Sequence, residues 1–130
     1  MILLAIIGVP RVIAHDLGWV EPGSFVNLLL VFVPPLIWIV VVLRSRTPRP
    51  FTALLTIGLL YGVMLGLMHQ LLWSQAFDTP PTLGGNLSNL PPAAHAVITR
   101  GFAFLSSLST GAVVGAITGI AGIVVHRLVK

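Results

Sequence analysis

The side chains able to do chemistry in this chain are few, and they stand at the ends of its apolar runs. His15, Asp16 and Glu21 precede the first run, His69 and Gln70 close the second, Asp78 follows in a polar loop, and His95 and Arg100 lead into the third. Histidine beside carboxylate is ligand chemistry for zinc, copper or iron, and imidazole alone can ligate haem. The spacings such sites use are absent: there is no HxxxH or HExxH, no phosphate loop, no GxSxG elbow and no closely spaced carboxylate pair. With no cysteine, thiolate metal sites, cysteine nucleophiles and disulfides drop out together. The sequence thus points to no catalytic residue, no metal ligand set and no cofactor, and a non-enzymatic protein is expected. What remains is a candidate polar site of His69, Gln70, Asp78, His95 and Arg100, gathered at one end of the fold.

The elements that must position these groups are set by composition. Of 130 residues, 56% are hydrophobic and 8% charged, against about 25% charged in an ordinary soluble domain. A mean hydropathy of +1.03 implies that the apolar faces are solvated by lipid. The net charge of +4 makes no basic patch, because seven basic residues are spread along the chain, so nucleic acid is not an expected partner. The lipid bilayer is, together with other membrane subunits or further copies of the chain.

Three runs, 25–43, 51–73 and 101–125, contain no Asp, Glu, Lys or Arg and reach the roughly 20 residues that a hydrocarbon core requires. The expected fold is an all-α integral membrane protein, a single domain over residues 1–130 with three transmembrane helices. Arg44, Arg46 and Arg49 lie between the first two runs, and Arg127 and Lys130 follow the third. By the positive-inside rule both clusters are cytoplasmic, which makes 74–94 an external loop and puts the N-terminus outside. A multi-pass protein of the cell membrane follows, and six Arg to one Lys suggests a bacterial source. Residues 1–19 are apolar but interrupted by Arg11, His15 and Asp16, and read as an interfacial helix at the outer surface, with a half-membrane segment as the alternative. Pro34 and Pro35 deprive the carbonyls of Leu30 and Val31 of helical donors and predict a kink.

The most specific pattern is a pair of small-residue rows. Gly58, Gly62 and Gly66 recur every four residues in the second run, as do Ala103, Ser107, Gly111, Gly115 and Gly119 in the third. Such rows let backbones approach where no hydrophobic force draws helices together, so the second and third spans are expected to form a glycine-packed antiparallel hairpin. Aligning the rows pairs Gly58 with Gly119, Gly62 with Gly115 and Gly66 with Gly111, two of these pairs being expected to touch, and brings Gln70 to Ser107 and Asp78 to Arg100. The alternative use of the rows is association between chains. The hydroxyls of Ser106, Ser107, Ser109 and Thr110 are expected to bond back along their own helix. The functional expectation is a structural or accessory subunit acting through transmembrane helix contacts. A small homo-oligomeric channel or transporter-like protein is the alternative, and it ranks second because no Asp, Glu, Lys or Arg lies within a span and His69, near an outer end, is the one titratable candidate there.

Overall fold

The computed structural model describes residues 1–77, 79 and 81–128, so the expected approach of Asp78 to Arg100 lies outside the described residues. Every regular element among the described residues is helical: α1 (Ile2–Ile6), α2 (Val9–Asp16), α3 (Phe25–Arg44), α4 (Pro50–Leu71), α5 (Trp73–Ala76), a 3-10 turn (Gly85–Leu87) and α6 (Pro92–Leu128). Three of them, α3, α4 and α6, are long and apolar enough to cross a membrane.

Local chemistry explains the boundaries. Ser24 caps α3 by accepting the Asn27 N–H at 3.2 Å, and α3 then continues through Pro34 and Pro35 to Arg44. Pro50 starts α4, where its missing N–H costs nothing. α6 is 37 residues long, about 55 Å. It begins at Pro92 rather than near the start of the apolar run at 101, because Pro92, Ala93, Ala94 and Ala96 favour helix without being membrane-like. Hydropathy marks where a helix meets lipid, whereas propensity marks where it starts.

α4 makes its most extensive contact with α6, and the two run antiparallel. Gly58, Gly62, Gly111 and Gly115 are all buried at the crossing. A Cβ built on Gly58 would fall on the Gly111 carbonyl oxygen and 2.6 Å from the Gly115 nitrogen; one on Gly111 would fall on the Gly58 carbonyl and 2.5 Å from the Gly62 Cα. These neighbours are backbone, which cannot swing away. The register differs from the one obtained by aligning the glycine rows end to end. The nearest neighbours of Gly58 are Gly111 and Gly115, and those of Gly62 are Ser107, Leu108 and Gly111. Gly66 and Gly119 meet phenylalanine instead of glycine: their Cβ positions lie 2.6 Å from the rings of Phe104 and Phe51 respectively. The offset has a physical reason. Sliding the rows seats one aromatic ring over the last glycine at each end, and burying ring surface there is worth more than another glycine contact.

The N-terminal segment corrects a second expectation. It does not stand apart from the long helices but runs along the bundle, in contact with α3 and α4. Asp16 meets His69 near the C-terminal end of α4, Gly8 packs on the Tyr61 ring in its middle, and the Leu4 carbonyl accepts the Trp38 indole N–H at 2.6 Å. Trp38 stands in the second half of α3, so residues 2–16 run parallel to α4. Met1 is therefore directed toward the end of the bundle that holds the Arg44 to Arg49 turn, opposite to the end expected. Ala5 and Val12 are fully buried by this docking. Pro10 cannot donate to the Ile6 carbonyl, which divides the segment into α1 and α2 at Ile7 and Gly8. Trp38 (1% exposed) closes the arrangement edge-on against Tyr61, centroids 5.6 Å apart.

A contrast between glycines tests the crossing. Gly111→Ala is expected to destabilise the protein in detergent by about 1–3 kcal/mol, since backbone must move to admit the methyl group. Gly101, helical with nothing within 4 Å of its Cβ position, is the control. Gly101→Ala is expected to be neutral or stabilising by up to about 1 kcal/mol. Reversible unfolding of both variants checks the pair.

Candidate functional site

The side chains of α2 divide by helical spacing. Val12 and Asp16, four apart, face inward and are buried; Arg11 and His15, also four apart, border a cavity at the same end of the bundle. Gly18, at φ +66°, turns the chain out of α2, with the Trp19 N–H closing on the Ala14 carbonyl at 2.8 Å. This ending leaves Asp16 in the last turn, where the negative end of the helix dipole opposes a carboxylate.

Two imidazoles answer that burden. Asp16 Oδ2 lies 2.6 Å from His69 Nδ1, and Asp16 Oδ1 lies 3.3 Å from His15 Nδ1. The Asp16 side chain is only 3% exposed, against 31% for His69 and 50% for His15. An ionised carboxylate only accepts, so each imidazole donates from Nδ1 and turns its Nε2 away from Asp16. His69 occupies the last turn of α4, where its Nδ1–H is available to the Asp16 carboxylate.

The centre lies on the wall of a cavity of about 510 Å³ between α2, α4 and α6, bordered also by Trp73, Ser106 and Thr110. A second cavity, of about 220 Å³, lies deeper beside Pro34 and Pro35 and reaches Trp38 and Tyr61. Arg11 and Thr110 border both. Arg11 Nε is buried and has no hydrogen-bond partner. Three of the four α6 hydroxyls expected to do so bond back along their own helix: Ser107 to the Ala103 carbonyl at 2.8 Å, Ser109 to Leu105 at 2.9 Å and Thr110 to Ser106 at 2.9 Å.

The five residues of the expected polar site separate. His69 joins Asp16. Gln70 meets Arg100 rather than Ser107, its Nε2 donating to the Arg100 carbonyl at 3.1 Å while Arg100 Nη1 reaches Gln70 Oε1 at 3.4 Å. This follows from the shifted register, and Arg100 also sits 4.9 Å above the Trp73 ring. His95 Nε2 accepts the Leu83 N–H at 2.7 Å and ties that residue to α6. Asp78 lies outside the described residues. Arg11 is absent from the expected site; His15 and Asp16 stand among the polar groups expected at that end but outside the five-residue site, although Asp16 is the group that His69 meets. The signal available for them was the charged triplet at 11, 15 and 16 following an apolar stretch, which reads equally as a surface helix.

Comparison with protein-family models, with curated proteins and with solved structures gives no match for this chain. The functional reading therefore rests on this geometry. Among the described residues no group of three or more His, Cys, Asp or Glu is arranged to hold a metal ion, and the centre is a carboxylate and imidazole network that shares its cavity with the Arg11 guanidinium.

The network makes a spectroscopic prediction. In the wild-type protein the nitrogen NMR signals of His69 are expected to show a protonated Nδ1 and a bare Nε2. In Asp16→Asn the acceptor is weakened, and the common Nε2–H tautomer is expected to gain population.

Proposed function

We propose that this chain is a multi-pass membrane protein that binds a small solute at the polar centre around Asp16 and Arg11, as a transporter-like subunit. The observation that carries the reading is the burial of the Asp16 carboxylate, held by His15 and His69 on a cavity wall inside a bundle with apolar outer faces. An ionisable group placed among membrane helices is costly, and where it occurs it usually marks a solute or proton path.

The membrane reading is supported by the outer faces. Phe25, Phe32 and Leu36 on α3 and Phe102, Leu105, Ile117 and Ile120 on α6 are all exposed, far more contiguous apolar surface than a soluble monomer shows. We read α4 and α6 as a glycine-packed antiparallel hairpin that forms the rigid half of the protein. By the positive-inside rule we read the basic turn at Arg44 to Arg49 and the Arg127 end as cytoplasmic and the 74–94 connection as external; on that reading the docked N-terminal segment lies within the bilayer with Met1 toward the cytoplasmic side.

The accessory role acting through helix contacts is the second reading, and the apolar face of α3 favours it. That face could seat against a partner helix. The glycine rows are less available for such contacts, because four of the six glycines are buried against backbone of the same chain and the other two against its phenylalanines.

Cysteine labelling separates the two readings. Thr110→Cys is expected to react with a charged, membrane-impermeant thiol reagent from the outer side, because the cavity admits water to it. A scaffold with lipid around Thr110 would leave it unreactive. Reporter fusions at Ser45 and Gly85 are expected on opposite sides, and a cysteine at Ile2 is expected to be unreachable from outside.

A further inference from the structure

We infer that the two cavities together form a binding site for an amphiphilic anion, with its acidic head at Arg11 and a short apolar tail in the pocket beside Pro34 and Pro35. The inference rests on the reading of this region as a solute site and names the ligand class.

Three observations carry it. The first is charge. Arg11 presents a guanidinium at the junction of both cavities with a buried, unpartnered Nε. The acid nearest in sequence, Asp16, is engaged by two imidazoles, and the ion pairs among the described residues do not include Arg11. A guanidinium out of bulk water favours a carboxylate or phosphate, which it binds through paired N–H donors.

The second is the division of polarity. The outer cavity has His15, His69, Ser106 and Thr110 on its wall, whereas the deeper one is walled mostly by Leu30, Val31, Pro34, Pro35, Trp38 and Val114. A ligand spanning both must be polar at one end and apolar at the other. The third is size. The deeper cavity, about 220 Å³, suits a chain of only several carbons, and it ends at Trp38, which is held in place by Leu4 and Tyr61. Those contacts close the pocket toward the cytoplasmic half.

The test uses the full chain in phosphatidylcholine nanodiscs, with Trp19 and Trp73 replaced by Phe so that Trp38 fluorescence reports the deep pocket. Octyl phosphate is expected to give a saturable change. Octyl glucoside, with the same tail and no charge, and inorganic phosphate, with no tail, are each expected to bind about tenfold more weakly or not at all. Arg11→Gln is expected to weaken octyl phosphate by about tenfold, with Arg11→Lys in between. Val114→Phe, which fills the deep pocket and leaves Arg11 in place, is expected to abolish the saturable signal and keeps the test informative if Arg11→Gln does not fold. Adding phosphatidylglycerol to the nanodisc identifies the source: competition with octyl phosphate points to a lipid phosphate, and its absence to a free amphiphile.

Equal responses to octyl phosphate and octyl glucoside, or saturable binding that survives both Arg11→Gln and Val114→Phe, would overturn the inference. The outcome is separable from the function proposed above. Sidedness and thiol access could fail while binding in nanodiscs persists, and an accessible cavity that ignores octyl phosphate would leave the solute site standing with a different ligand.

Discussion

Where α4 crosses α6, two backbones touch with no side chain between them, and most of the remaining structure is arranged around that contact. Gly58, Gly62, Gly111 and Gly115 occupy the crossing, and Phe51 and Phe104 seal its ends against Gly119 and Gly66. The arrangement has a local two-fold character: Phe51, Gly58, Gly62 and Gly66 recur at the same spacing as Phe104, Gly111, Gly115 and Gly119. Because backbone atoms cannot change rotamer, the relative position of the two helices has little freedom. That fixes which face of α4 remains for others. Leu54, Ile57, Tyr61 and Leu65 are buried there, whereas the matching positions of α6 include Thr110, Val114 and Thr118. The two-fold likeness in the glycines is broken in these neighbours, and the N-terminal segment accordingly makes its contacts with α3 and α4.

Asp16 is the costly element of this docking. A carboxylate moved from water into a protein interior is tolerated only with hydrogen-bond partners, and this one also faces the unfavourable end of its helix. Its partners come from two places, His15 beside it in sequence and His69 on α4. Val12, one turn earlier, supplies fully buried apolar surface that holds α2 in place. The apolar docking and the polar centre depend on one another: without the first, Asp16 would return to water, and without the second its burial would oppose the docking.

How much of this was legible in the sequence depends on the kind of signal. The three long helices were, since charge-free runs of sufficient length carry their own evidence, and α3 and α4 end within one or two residues of their apolar runs. The antiparallel approach of α4 and α6 was also readable from matched small residues. Its register was not. Aligning glycine with glycine treats every small position as equivalent, whereas Phe51 and Phe104 compete for the outermost ones. The N-terminal segment was misplaced for a related reason. Arg11, His15 and Asp16 break an apolar stretch in a way that suits an interface, and only the three-dimensional partners, Trp38 for Leu4, Tyr61 for Gly8 and His69 for Asp16, allow the segment to pack against the bundle. Those partners are distant in sequence and follow no spacing rule. Gln70 and Arg100 met each other instead of Ser107 and Asp78 because a side-chain pair inherits any error in register.

The docked N-terminal segment also has a consequence for the order of assembly. Residues 2–16 precede each of their anchors in the chain: Trp38 on α3, then Tyr61 and His69 on α4. Until α4 has been made, Asp16 and Arg11 have no place inside the bundle and the segment cannot dock. Its docking is then a late step, and one of high contact order. A segment made before all of its partners thus reaches its final position after them, and it completes the centre as it does so.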